Sequence, residues 1–152
     1  MVTLIGMGSG SWEALSVQAQ DAVRRAGLVF GAKRLLAGLP PECTARQFAL
    51  YQPAEILETL AQAPGQDAAV LYSGDTGFYS GASGLLTPLR ALGIPARVYP
   101  GVSSIQLLAA ALGRPWQDWK LVSAHGCACD PVAQCMTERS VFFLTGGAET
   151  PA

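Results

Sequence analysis

Apolar residues gather in six short runs bounded by turn-forming residues: "VTLIG" (2–6), "LVFG" (28–31), "AAVLY" (68–72), "ARVYP" (96–100), "KLVSA" (120–124) and "SVFFL" (140–144). Each has the length and composition of a buried strand. Most gaps between them carry a helical period. In "WEALSVQAQDAVRRAG" (12–27) Leu15, Ala19, Ala22, Val23 and Ala26 fall on one face, and Gly27 supplies the stop. "PAEILETLAQAPG" (53–65) opens on Pro53 and closes at Pro64-Gly65. "GASGLLTPLRALG" (81–93) carries Leu85, Leu86, Leu89 and Leu92, with Pro88 expected to kink the helix or mark its start. "SSIQLLAAALG" (103–113) opens with serine and ends on Gly113, and 37–47 reads as an irregular connection.

Alternating strands and helices predict an α/β fold, a mostly parallel sheet with helices on both faces. Ligands in such folds bind beyond the carboxyl ends of the strands. Glycines cluster there: "GMGSG" after the first run, "SGDTG" after 68–72 and "PGVSS" after 96–100. Three loops from three strands should therefore converge on one edge. Residues 73–81, "SGDTGFYSG", carry three glycines, an aspartate and two aromatic rings, more than a plain turn requires. The final "SVFFLTGGAETPA" reads as a strand, a glycine loop and the start of a helix, so a further downstream part is expected.

At 152 residues the chain has material for one domain, or one and a fragment. Half its residues are hydrophobic and 14% are charged, with a net charge of -1 and scattered Lys and Arg. No basic stripe points to nucleic acid. No apolar run approaches the roughly 20 residues of a membrane helix. "MVTLIGMGSG" lacks the basic start of a signal peptide, so a cytoplasmic protein is expected. "HGCACDPVAQC" offers His125, Cys127, Cys129 and Cys135 as a zinc quartet, but its C-x-C is tighter than the usual spacing of paired zinc cysteines. Reduced thiols and no metal are expected.

"GMGSGS" departs from the dinucleotide-binding pattern G-x-G-x-x-G, since Ser11 stands where the third glycine belongs. The second run is followed by Lys33 and Arg34, where an acidic residue would hold a ribose. The Gly-Lys-Ser/Thr of a phosphate-binding P-loop is absent. In "PGVSSIQ", Ser103 and Gln106 have the spacing of a capping box, and the same hydroxyls and free N–H groups suit a polar ligand at a helix start.

"IGMGSG", "GAKRLL", "LYSGDTGFYSG", "YPGVSSIQLLAAALGRPW" and "LVSAHG", in this order and spacing, resemble the tetrapyrrole methylases. Within them, "GAKRLL" and "SAHG" resemble the cobalamin-pathway C5-methyltransferase branch, of precorrin-6Y or cobalt-precorrin-7 type. The resemblance implies an N-terminal α/β domain over 1–119 and the beginning of a truncated C-terminal α/β domain over 120–152. It implies S-adenosylmethionine as methyl donor, a precorrin or cobalt-precorrin as acceptor, a homodimer, and in some relatives a decarboxylating C15-methyltransferase as partner. The alternative is a truncated, inactive module that binds and dimerises.

Residue by residue, the family's G-x-G-P-G loop matches Gly6, Gly8 and Gly10, with Ser9 in place of proline. Its second loop matches Ser73, Gly74 and Asp75, with Thr76 in place of proline. The resemblance implies donor contacts at Gly8, Ser73, Gly74, Asp75, Phe78, Ser103, Ser104 and Leu144. For the acceptor it points to Ser9; Lys33 and Arg34 either meet macrocycle carboxylates or are simply solvated. No Ser/His/Asp or paired-carboxylate constellation marks a catalytic group. Asp75 suits loop fixing or ligand contact better than general-base work. His125, the only histidine, is either a structural residue at a strand end or a group near the macrocycle.

Overall fold

The computed structural model describes residues 1–124, 130–137 and 140–145. The chain divides into two compact units, Met1–Ser103 and Ser104–Ala152.

The first unit holds β1 (Val2–Gly6), α1 (Val17–Arg25), β2 (Leu28–Phe30), α2 (Lys33–Leu36), β3 (Arg46–Phe48), α3 (Pro53–Ala61), β4 (Ala68–Tyr72), α4 (Ala82–Ala91) and β5 (Ala96–Tyr99). Its five strands form one sheet in the order β3-β2-β4-β1-β5. Every pairing in it is parallel. β1 is held in register between β4 (Leu4 opposite Val70) and β5 (Leu4 opposite Val98).

The central strands are apolar at consecutive positions because both sheet faces are covered. On one face Val2, Leu4, Leu28, Phe30, Ala68 and Val70 pack with Ile56 of α3 and with Ala82, Leu85 and Leu89 of α4. On the other, Ile5, Val29, Ala69 and Leu71 pack with Leu15, with Ala19 and Val23 of α1, and with Leu35 of α2. The face predicted for the first helix is thus the one buried, with Ala22 at its margin.

α1 begins later than its apolar period suggests. Trp12–Ala14 forms a short 3-10 turn, and Ser16 then caps α1 by accepting a 3.2 Å hydrogen bond from the Ala19 N–H. α4 runs from Ala82 through Pro88, so the proline lies inside the helix rather than at its start. Leu92, expected on the buried face, caps that helix and is exposed.

The stretch 37–47, expected to be irregular, contributes the first two residues of β3. Arg46 and Gln47 are exposed and give no apolar signal; pairing with β2 makes this segment an edge strand. Both edges of the sheet, β3 and β5, carry an exposed arginine, Arg46 and Arg97, which discourages further strand pairing.

The second unit contains α5 (Ser104–Leu112), β6 (Lys120–Ser123), α6 (Pro131–Thr137) and β7 (Val141–Leu144). β6 and β7 pair in parallel as a separate sheet, with Leu121 opposite Phe142. Asp130 caps α6 through bonds of 3.0 and 3.2 Å from the Val132 and Ala133 N–H groups. No helix among the described residues is long and apolar enough to cross a membrane.

Tyr72, at the carboxyl end of β4, packs against the α3–α4 face. Burial pushes its phenol up to about 12. In the unfolded chain it ionises near 10, so its contribution to stability is complete below that pH and is lost as pH rises toward 12. Denaturant unfolding of the native protein should therefore weaken more steeply between about pH 10 and 12 than that of Tyr72→Phe. Parallel curves for the two proteins would contradict this.

Candidate functional site

The strands that end in glycine loops, β4, β1 and β5, are neighbours in the sheet. Their carboxyl ends place the segments after Gly6, Tyr72 and Tyr99 side by side. Backbone bonds join the first two: Met7 N–H donates to the Tyr72 carbonyl at 2.8 Å, and Gly8 and Gly74 exchange two bonds of 3.0 and 2.9 Å. The third loop meets them without any side chain between. A Cβ on Gly101 would lie 2.2 Å from the Gly74 carbonyl oxygen and 2.6 Å from the Gly6 carbonyl carbon. One on Gly6 would lie 2.5 Å from the Gly101 nitrogen. These separations permit only glycine at both positions.

Asp75 and Thr76 add two ties. One Asp75 carboxylate oxygen accepts the Gly77 N–H of its own loop at 2.9 Å, and the other accepts the Gly101 N–H of the third loop at 3.1 Å. The Thr76 hydroxyl donates to the Tyr99 carbonyl at 3.4 Å. The Thr76 side chain thus reaches past the end of β1 to the end of β5.

Gly8 and Gly74 have φ of 57° and 66°, in the left-handed region. Ahead of Gly74 the space is open: a Cβ there would meet nothing nearer than Ser103 Cα at 3.9 Å. Ser103 is buried, and Ser9 stands exposed on the first loop. Phe78 and Tyr79 stack edge to face with centroids 4.9 Å apart. Tyr79 has φ 46°, a conformation that costs a bulky residue about 1 kcal/mol.

Arg34, exposed on α2, hydrogen-bonds the Ser73 hydroxyl through Nη2. A Cβ on Gly10 would lie 3.7 Å from its Nη1. The guanidinium therefore stands beside both the first and second loops, and Lys33 is exposed next to it in sequence. The first loop does not run straight into a helix, because α1 starts only at Val17. The helix N-terminus of a dinucleotide site is therefore missing there.

Of the residues singled out in the sequence, Gly8, Ser9, Arg34, Ser73, Gly74, Asp75, Phe78 and Ser103 belong to this cluster of loops in the first unit. Ser104 and Leu144 belong to the second unit, as the first residue of α5 and the last of β7. His125, Cys127 and Cys129 lie outside the described residues. Among the described residues, no group of three His, Cys, Asp or Glu side chains is arranged to hold a metal ion. The Arg34–Ser73 bond and the Thr76 tie are absent from any sequence signal, since each joins segments that become neighbours only through strand order.

A profile of the family described as Tetrapyrrole (Corrin/Porphyrin) Methylases matches residues 1–148. The chain is 33% identical over 147 residues to the cobalt-precorrin-7 C(5)-methyltransferase of Salmonella typhimurium, covering 95% of this chain and 71% of that enzyme. It is 32% identical over 120 residues to the precorrin-4 C(11)-methyltransferase of Rhodococcus erythropolis, covering 74% of this chain and 48% of the relative. The fold matches that of uroporphyrin-III C-methyl transferase from Thermus thermophilus, solved with S-adenyl homocysteine, at TM-score 0.72 and 23% identity, over 97% of this chain and 67% of that one. The chain thus spans from about half to about seven tenths of these relatives.

The glycine contacts rank two substitutions. Gly101→Ala forces backbone apart and should cost about 2–3 kcal/mol, whereas Gly74→Ala meets open space and should cost only about 1 kcal/mol for its left-handed φ. Urea unfolding of both variants measures the order, and the reverse order would show that the loops do not meet as described.

Proposed function

The chain belongs to the tetrapyrrole methylase family, and we propose that it binds S-adenosylmethionine and transfers its methyl group to C5 of a precorrin or cobalt-precorrin in cobalamin biosynthesis. The observation that carries this reading is the knot of three glycine loops at the carboxyl ends of β4, β1 and β5. The same loops have the sequence pattern of the family. The C5 assignment is favoured by the relative of that name, matched over 95% of this chain against 74% for the C11 relative.

The loops suit such a donor. S-adenosylmethionine carries a sulfonium, an amino-acid tail and a ribose, so it needs open backbone and hydroxyls rather than a phosphate cradle. A Cβ on Gly74 would meet nothing nearer than 3.9 Å, so a ligand can approach its Cα, while its N–H and C=O stay paired with Gly8. Gly8 pairs with it to extend the same backbone surface, Ser73 and Ser103 carry hydroxyls on the neighbouring segments, and Phe78 lies in the same loop. When bound, the donor would supply an electrophilic methyl group: an electron-rich ring carbon bonds to it in line as its bond to sulfur breaks, and S-adenosylhomocysteine leaves. The chain's own part is to hold the two reactants in line and keep water out, and effective molarity supplies much of the rate. Arg34 and Lys33, with Ser9, are the proposed partners of the macrocycle's carboxylates. Both are cationic and exposed, and Arg34 stands beside the first loop.

Ser104 and Leu144 enter this proposal only through the sequence resemblance. The same holds for a homodimer and for work beside a decarboxylating C15-methyltransferase. A domain boundary at 119/120 likewise comes from the resemblance; the sheet changes at Lys120, the first residue of β6, whereas the compact units divide earlier, between Ser103 and Ser104.

Calorimetry with S-adenosylhomocysteine tests the donor site. The native chain should bind it, and Phe78→Ala should bind about tenfold more weakly, near 1.4 kcal/mol. No binding by the native chain would end the proposal. Incubation with a ¹³C-methyl donor and a cobalt-precorrin acceptor, read by NMR, tests the position. Label at C5 is expected, and label at another carbon would move the assignment to a different branch of the family.

A further inference from the structure

An aspartate in a glycine loop facing a cationic ligand invites a direct role: an ion pair to the ligand, or a base. The geometry here points elsewhere. Both Asp75 oxygens are engaged by backbone, one by Gly77 N–H at 2.9 Å and the other by Gly101 N–H at 3.1 Å. The first bond closes a turn within the 73–81 loop, as Asp side chains do two residues on. The second crosses to the loop after β5, 26 residues away in sequence. Bonds from a carboxylate to backbone N–H groups are among the stronger hydrogen bonds.

The crossing bond falls where the chain needs it. Gly101 is pressed against the Gly74 carbonyl and Gly6, so no side chain at 101 can anchor that loop. Its backbone N–H remains as a handle, and Asp75 accepts it. Thr76, the next residue, ties the same two strand ends through the Tyr99 carbonyl. The pair follows Gly74 directly in sequence, and a Cβ on Gly74 would lie 3.9 Å from the Cα of buried Ser103.

We propose that Asp75 is a positioning residue: its carboxylate fixes the loop after β5 against the loop after β4, and so sets the spacing between Gly74 and Ser103 before any ligand arrives. It serves donor binding through the backbone it holds, without itself contacting the donor or moving a proton. The link to donor binding rests on the methyltransferase reading above; the bracket itself does not.

Amide hydrogen exchange by NMR on the ligand-free chain reads the bracket. In Asp75→Ala the Gly77 and Gly101 amides should exchange much faster while those of β1 and β4 keep their native rates. Asp75→Asn keeps one acceptor oxygen, so only one of the two amides should be released; it also serves should the alanine variant fail to fold. Calorimetry with S-adenosylhomocysteine reads the consequence. Affinity should fall roughly tenfold in Asp75→Asn and on the order of a hundredfold in Asp75→Ala, as expected for losing one and two charge-assisted bonds. An unchanged Gly101 amide in both variants would overturn the bracket. Released amides with unchanged affinity would overturn its role at the donor site. Released amides in a chain whose native form binds no S-adenosylhomocysteine would leave the bracket standing and remove the methyltransferase reading instead. Native amide protection with lost affinity would assign Asp75 to direct ligand contact, against the proposal.

Discussion

Backbone-to-backbone contact among Gly6, Gly74 and Gly101 is the constraint on which the site depends. Three parallel strands, β4, β1 and β5, lie side by side at the usual inter-strand spacing, and their loops must turn away from the sheet in the same small volume. Side chains at 6 and 101 would hold the loops apart, because a Cβ at either falls within 3 Å of neighbouring backbone. With glycine there, the Gly8–Gly74 bridge can form and the loops join into one continuous stretch of paired backbone. The glycines are thus conditions for assembly rather than flexible joints.

What the two sheet faces contribute is rigidity beneath those loops. Leu4, Leu28, Phe30 and Ile56 are fully buried on one side, and Ile5, Met7, Val23 and Val29 on the other. Met7 is itself the residue between Gly6 and Gly8, so the first loop is anchored into the core one residue after its strand ends. The loops then rest on strands whose side chains have little freedom to shift. The proposed chemistry, alignment of a donor and an acceptor, benefits from that rigidity more than from any acid or base. The described loops accordingly offer backbone, hydroxyls and rings, with Arg34 as the cation beside them.

Much of the fold was legible in the sequence. Runs such as "VTLIG" and "AAVLY" are apolar throughout because both their faces are covered, and Ala19 and Val23 repeat at helical spacing because one face of α1 is buried. Arg46–Phe48 was not legible, since an edge strand needs only backbone partners and carries no apolar pattern. The start of α1 was obscured as well: Trp12 and Leu15 pack against the same cluster as the helix, although Trp12 lies in a 3-10 turn and Leu15 precedes Ser16, the true cap.

The candidate site divides in the same way. The sequence by itself determined which segments end in glycine and which residue types they present: Ser73, Gly74, Asp75 and Phe78 after one strand, Gly8 and Ser9 after another, Ser103 after a third. Only the tertiary structure decided which of these meet. The order β3-β2-β4-β1-β5 puts β1 between β4 and β5, so Asp75 reaches Gly101 and Thr76 reaches Tyr99, while Arg34, from α2, arrives at Ser73 across 39 residues of sequence. Local composition cannot encode that choice. Several apolar runs here would fit a buried slot of a parallel sheet equally well, and their order is selected by how the connecting helices pack on its two faces.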